Sequence, residues 1–316
     1  MIRGVRRNRD EKRPARCVCM AVALLCAASA SVDALAQDLT PRTYWPAPNG
    51  TKLFIFGYAY QSGDVVTDPS IPITGVDSKI DSGVLAYQQT TSFFGRTGKI
   101  QFELPYIDGT TTGLVSDVPG RRDVSGFGDF AATLSINILG APSMSPAEFQ
   151  QLRQDPRPIL GASIKIVAPT GEYEKDRLIN IGTNRWAARI QLGYIRPLTP
   201  KWLLEMSAGI WFFEDNHEFL GMTREQDPIG ALNFHLVRRF RPGFWASLDL
   251  NYYLGGHSTL DGVRGADLQR NSRAGLSIAY PFKRKHALKI GFSDGVVTES
   301  GGDFRTLTFN YIYRIR

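Results

Sequence analysis

The sequence predicts an all-β protein, a transmembrane antiparallel β-barrel of the outer-membrane type with about twelve strands. Three observations carry this. Beyond residue 51 apolar residues recur with a period of two. The connections between these stretches alternate between short and long. The chain also opens with what reads as an export signal.

That signal occupies residues 1–36. "MIRGVRRNRDEKRPAR" is a basic leader, and "CVCMAVALLCAASA" is an apolar run too short to span a bilayer. "ALA" at 34–36 offers a cleavage site, so the mature chain is expected to begin at Gln37. Cys17, Cys19 and Cys26 all lie inside the signal, which leaves the mature chain without disulfides, thiolate metal sites or cysteine nucleophiles. Removing its seven Lys/Arg and three Asp/Glu lowers the formal charge from +7 to +3. A nucleic-acid partner loses its main support with that charge.

Residues 37–50 ("QDLTPRTYWPAPNG") are expected to form a short periplasmic segment before the barrel, with a partial plug as the other reading. The barrel then occupies 51–316. In "KWLLEMSAGIWFF" Trp202, Leu204, Met206, Ala208, Ile210 and Phe212 share one face, and Glu205 and Ser207 the other. The same alternation sets Leu232, Phe234 and Leu236 against Asn233 and His235, and Leu248 and Leu250 against Asp249 and Asn251. Leu307, Phe309, Tyr311 and Tyr313 oppose Thr306, Thr308 and Asn310. "GRTG", "PLTP", "RPG" and "FKRKH" read as short turns. Longer polar loops are expected near 62–78, 107–124, 169–184, 214–227, 255–269 and 294–303. Residues 140–157 break the alternation as a longer periplasmic connection. There "SPAEFQQLR" carries a capping box, with Ser145 as N-cap, Pro146 at N1 and Glu148 at N3, and predicts a short helix.

A secreted β-sandwich would alternate too, so magnitudes decide. Trp202 to Phe212 is roughly 33 Å of strand at about 3.3 Å per residue. Tilted by about 40°, it projects to roughly 25 Å, the height of a lipid-facing band between aromatic girdles. Trp186, Trp202, Phe212, Phe240, Phe244 and Tyr313 fall near strand ends with lipid-facing parity and are expected to form those girdles.

Opposite parity assigns Glu103, Asp129, Lys165, Arg185, Arg189, Glu205, His235, Asp249, Arg273 and Lys289 to the lumen. In "LINIGTNRWAARIQLGY" (178–194) a turn-rich loop runs into a strand that turns Trp186 to lipid and Arg185 to the pore mouth. Arg185 has a second possible role, pairing with a loop carboxylate such as Glu172 or Asp176. With Phe240 opposite Phe244 across Arg241-Pro242-Gly243, counting back sets His235 against Asp249, a lumen pair read first as a plain structural pair, with a site sensitive to mildly acidic pH as the other reading. A barrel of twelve strands lies between side-chain-filled and open sizes, so the bore is expected to be narrow.

Catalysis finds little support. His257-Ser258 and His217 near Asp215 are loop residues, and no Gly-x-Ser-x-Gly or His-Glu-x-x-His motif occurs. No catalytic residue, metal ligand or cofactor is therefore assigned.

Several blocks resemble the MetA-pathway phenol-degradation family of outer-membrane proteins: "YWPAPNG" (44–50), "SGFGDF" (125–130), "APTGEYEKDRLINIGTNRWA" (168–187), "FFEDN" (212–216), "YYLGGHSTLDG" (252–262) and "RAGLSIAYPF" (273–282). The resemblance covers nearly all of residues 44–313, and its central block is the most specific. It implies a β-barrel in the outer membrane of a Gram-negative bacterium, with a role in taking up hydrophobic substrates. The expected function is passive diffusion of small aromatic or hydrophobic compounds. A barrel hydrolase and a structural or adhesive barrel are the alternatives. Outer-membrane lipid, such solutes and the barrel-assembly machinery are the expected partners.

Overall fold

The computed structural model describes residues 40–67 and 73–315; the export signal expected over 1–36 lies outside the described residues. In chain order come β1 (Lys52–Val66), β2 (Ile73–Phe93), β3 (Arg96–Val115), β4 (Val118–Phe127), β5 (Phe130–Leu139) and helix α1 (Pro146–Gln154). Then follow β6 (Ile159–Ala168), β7 (Ala187–Pro197), β8 (Trp202–Phe213), β9 (Asn216–Phe219), β10 (Met222–Gln226), β11 (Ile229–Arg241) and β12 (Phe244–Gly255). The last are β13 (Ser258–Leu260), β14 (Val263–Arg264), β15 (Gln269–Lys283), β16 (His286–Val297) and β17 (Gly301–Arg314).

The large sheet runs β2-β1-β17-β16-β15-β12-β11-β8-β7-β6-β5-β3, and pairing of β2 with β3 closes it. β4 and β5 are two halves of one stave, both paired to β3, so the closed barrel has 12 antiparallel strands. Closure removes every free edge that a bilayer could not satisfy.

Facing follows from the period of two. Along β11 Leu232, Phe234 and Leu236 are exposed on the outside, while Ala231, Asn233 and His235 are buried inside. β12 repeats this with Leu248 and Leu250 outside and Asp249 and Asn251 inside. A charged side chain turned outward in the hydrocarbon would cost about 2–4 kcal/mol at mid-membrane, which fixes the register.

The structure corrects several loops. The stretch expected as a loop near 107–124 is a hairpin: β3 continues to Val115, Ser116 and Asp117 turn with φ of 50° and 65°, and β4 begins opposite, Val115 facing Val118. Positive φ at both turn residues is the type I′ geometry that matches strand twist. The described part of the expected 62–78 loop is also mostly strand. β2 has 21 residues, against the roughly 9–11 that cross a bilayer. The outer ends of β2, β3 and β4 therefore stand in water, where neither face needs apolar residues. The loops at 214–227 and 255–269 hold a second, four-stranded sheet ordered β14-β13-β10-β9.

The connection at 140–157 holds α1, and its predicted capping box is present: Ser145 accepts from the Glu148 N–H while Glu148 accepts from the Ser145 N–H. Leu152 of α1 packs with Ile159, Ile195, Leu203 and Val237 inside the mouth at the short-turn end, the periplasmic end of such barrels.

Candidate functional site: the barrel lumen

Residues 40–50, expected in the periplasm or, as the other reading, as a partial plug, pack inside the periplasmic mouth of the barrel. Tyr44 is buried, its hydroxyl 2.8 Å from Ser163 Oγ and 3.3 Å from the Gln191 carbonyl oxygen. Its ring lies over Gly161 and Gly193, which pair directly across β6 and β7. A Cβ at either position would come within 2.2 or 2.0 Å of ring carbons, so these glycines make the space the ring fills. The Arg42 backbone N–H donates to Glu205 Oε2 at 2.7 Å, and its guanidinium to Oε1 at 3.1 Å. Lys99 Nζ donates to the Thr43 carbonyl at 2.6 Å. The inward apolar residues and lumen polar groups at this end thus receive the segment instead of water.

Above this plug the lumen is polar. Lys165 donates to Glu103 at 2.6 Å. Asn233 donates to Ser207 Oγ at 2.9 Å. His235 Nδ1 lies 2.8 Å from Asp249 Oδ1, and Ser277 Oγ donates to Asp249 Oδ2 at 2.8 Å. Arg273 is buried and reaches Ser293 Oγ at 3.2 Å and Thr306 Oγ1 at 3.1 Å. Lys289 pairs in register with buried Ala279 and so shares the lumen face.

Aromatic rings stand among these groups. The Arg189 guanidinium lies 5.1 Å from the Trp211 ring centroid and that of Arg185 4.7 Å from Phe213, and the two rings stack at 6.3 Å. At the periplasmic end Arg42 lies 4.1 Å from Trp45.

Arg185 is not an open-mouth cation. It is buried at 2% exposure and donates to Gln226 Oε1 in β10 of the small sheet. The loop at 169–186 is held by Asp129, at the break between β4 and β5, which accepts the Gly171 N–H at 2.8 Å and the Thr183 N–H at 2.9 Å. Asp129 therefore serves the loop, where parity alone placed it on the lumen wall. Glu172 closes the loop against β4, its N–H donating to the Phe127 carbonyl at 2.9 Å. On the outside Trp186 and Phe212 are exposed near the extracellular end, and Trp202, Phe240, Phe244 and Tyr313 lie near the short turns. The hairpin there pairs Arg241 with Phe244 and bulges at Phe240, which leaves His235 opposite Asp249 as counted. Ser258 Oγ, beside His257, donates to Asp267 Oδ2 at 2.5 Å.

The sequence reading named a partial plug only as its second choice, and it missed both the docking of α1 beside Tyr44 and the small cap sheet at the opposite end. The one available signal was apolar parity on the inner face at periplasmic strand ends, at Ile195, Leu203 and Val237.

A closed barrel with leucines and aromatics outside and paired polar groups within is an outer-membrane β-barrel protein. The chain belongs to the family described as "Putative MetA-pathway of phenol degradation", which it matches over residues 58–311. Its structure is similar to that of the COG4313 outer membrane channel from Pseudomonas putida F1, with a TM-score of 0.75 at 23% identity, covering 88% of this chain and 100% of that one. It is also similar to the beta domain of the Bordetella autotransporter BrkA, with a TM-score of 0.50 at 11% identity over 84% of this chain and 99% of that one. At these identities the likeness speaks for the fold. Among curated protein sequences none matches.

Proposed function

We propose that the protein is a channel through which small aromatic or hydrophobic molecules diffuse passively across the outer membrane. The observation that carries this is the placement of aromatic rings inside the barrel, Trp45, Trp211 and Phe213, each with an arginine against its face. Trp45 and Phe213 are partly exposed and offer an apolar contact to an aromatic solute, with buried Trp211 stacked behind Phe213, while the guanidinium and the neighbouring polar groups hold water and polar substituents. Membership of a family described by phenol degradation, and likeness to a protein described as an outer membrane channel, support the same reading.

Passage needs no energy source in this scheme; a solute exchanges one aromatic contact for the next. The plug makes the bore conditional, since Tyr44 and Arg42 occupy the periplasmic mouth. Liposomes containing the purified protein should take up phenol-like solutes faster than sugars of similar size, with protein-free liposomes as the blank. Equal rates for both would mark a general porin, and no protein-dependent flux would return the structural or enzymatic readings.

A further inference from the structure

Between the plug, α1 and the short turns lies a cavity of about 560 Å³ whose charge is one-sided. Eight of its seventeen lining residues are Arg or Lys and none is Asp or Glu. Among the described residues only one of those cations, Arg42, is in an ion pair, with Glu205 at 3.1 Å. Its walls also carry Trp45, Trp245 and Phe149. Arg239 lies 5.0 Å from the Trp45 ring centroid, Arg42 5.9 Å from Trp245 and Arg153 5.8 Å from Phe149.

We propose that this vestibule is a binding site for small aromatic carboxylates of the benzoate class. Its size falls within the roughly 300–1,000 Å³ typical of small-molecule sites. Guanidinium groups present a planar fork that matches a carboxylate, and Arg153 supplies one with no acid in the cavity to compete for it. Arg239 donates to the Pro200 and Arg153 carbonyls and adds its charge to the wall. The indole and phenyl faces beside them accept a ring. Arg42, Lys99, Arg239 and Trp245 have the lumen-facing parity of their strands or belong to the plug, so the site opens to the solute path rather than to the surrounding lipid. Burial pushes Arg42 down to about 10, a drop that Glu205 opposes and that the neighbouring cations Arg239 and Arg153 reinforce. An anionic ligand would relieve that crowding. The site deepens the proposed passage of aromatic solutes and rests on it only for its role; binding itself is testable without transport.

The test is a titration of the purified full-length protein in detergent, read by tryptophan fluorescence, with sodium benzoate, phenol, cyclohexanol and inorganic phosphate as probes. Benzoate should quench saturably and bind at least roughly tenfold more tightly than phenol, the ratio expected of a charge-assisted hydrogen bond. Arg153→Gln should weaken benzoate by a similar factor with no effect on phenol. That guanidinium lies over the Phe149 ring and is in no ion pair among the described residues, so the fold should stay intact, as circular dichroism would check. Trp45→Phe should remove much of the quenching. Benzoate binding no tighter than phenol, or unchanged by Arg153→Gln, overturns the site. Phosphate binding as tightly as benzoate overturns its aromatic part. Benzoate bound without any liposome flux supports the site while sinking the passage reading; flux without benzoate binding does the reverse.

Discussion

His235 Nδ1 lies 2.8 Å from Asp249 Oδ1 across β11 and β12, both side chains buried inside the barrel. An ionised carboxylate only accepts, so Nδ1 carries the hydrogen. Neutral His235 should therefore be the Nδ1–H tautomer, which ¹⁵N chemical shifts of labelled histidine would show; an Nε2–H tautomer would contradict the pairing. Asp249→Ala strands the imidazole and the Ser277 hydroxyl together, and should cost about 1–3 kcal/mol of stability in denaturant titration.

Facing is tested by charge. Leu248 is exposed on the outside and Leu204 shares that parity, whereas Ser207 and Ser247 face the lumen. Leu204→Arg or Leu248→Arg should destabilise insertion by roughly 2–4 kcal/mol. Ser207→Ala or Ser247→Ala should be far milder. Folding into lipid vesicles, followed by the shift in gel mobility of unheated samples, measures both sets, and equal effects would mean the facing is misassigned.

Plug retention depends on Gly161 and Gly193, where a methyl group would collide with the Tyr44 ring. Gly161→Ala and Gly193→Ala should expel Tyr44 while the β6–β7 ladder survives. Single-channel conductance should rise in both variants, and in Tyr44→Ala, and a protease should cut residues 40–50 more readily. Unchanged conductance and cleavage in all three would show that the ring does not hold the segment.

The extracellular loop has a pH-dependent clasp. The Arg122 guanidinium, 2.5 Å away, holds the Glu174 carboxyl below its ordinary value. With the folded value depressed, the contribution is present above the unfolded carboxylate value of about 4.3 and is lost as pH falls through the folded one. The pair is exposed, so salt should weaken it. Protease sensitivity of residues 169–184 should rise as pH is lowered from 6 toward 3 in wild type. In Arg122→Gln the loop should already be sensitive at pH 6 and change less.

The sequence by itself determined the barrel, its twelve strands and the facing of most side chains, because each of these is a local demand. Lipid tolerates Leu248 and rejects Asp249 at neighbouring positions, so the requirement is written residue by residue with a period of two. The His235–Asp249 pair was legible for the same reason: an antiparallel register, once anchored at one turn, is arithmetic. Only the tertiary structure decided the rest. The outer ends of β2, β3 and β4 are wet on both faces, so no apolar alternation marks Thr110–Thr112 as strand. Residues 40–50 have no period, and their place was set by the space over Gly161 and Gly193, which exists only once β6 and β7 are paired. Arg185 and Asp129 took their roles from the loop and cap sheet folding over them. The cationic vestibule unites Arg42, Arg153 and Arg239 from three separate segments. No spacing in the chain announces that meeting; closure of the barrel brings it about.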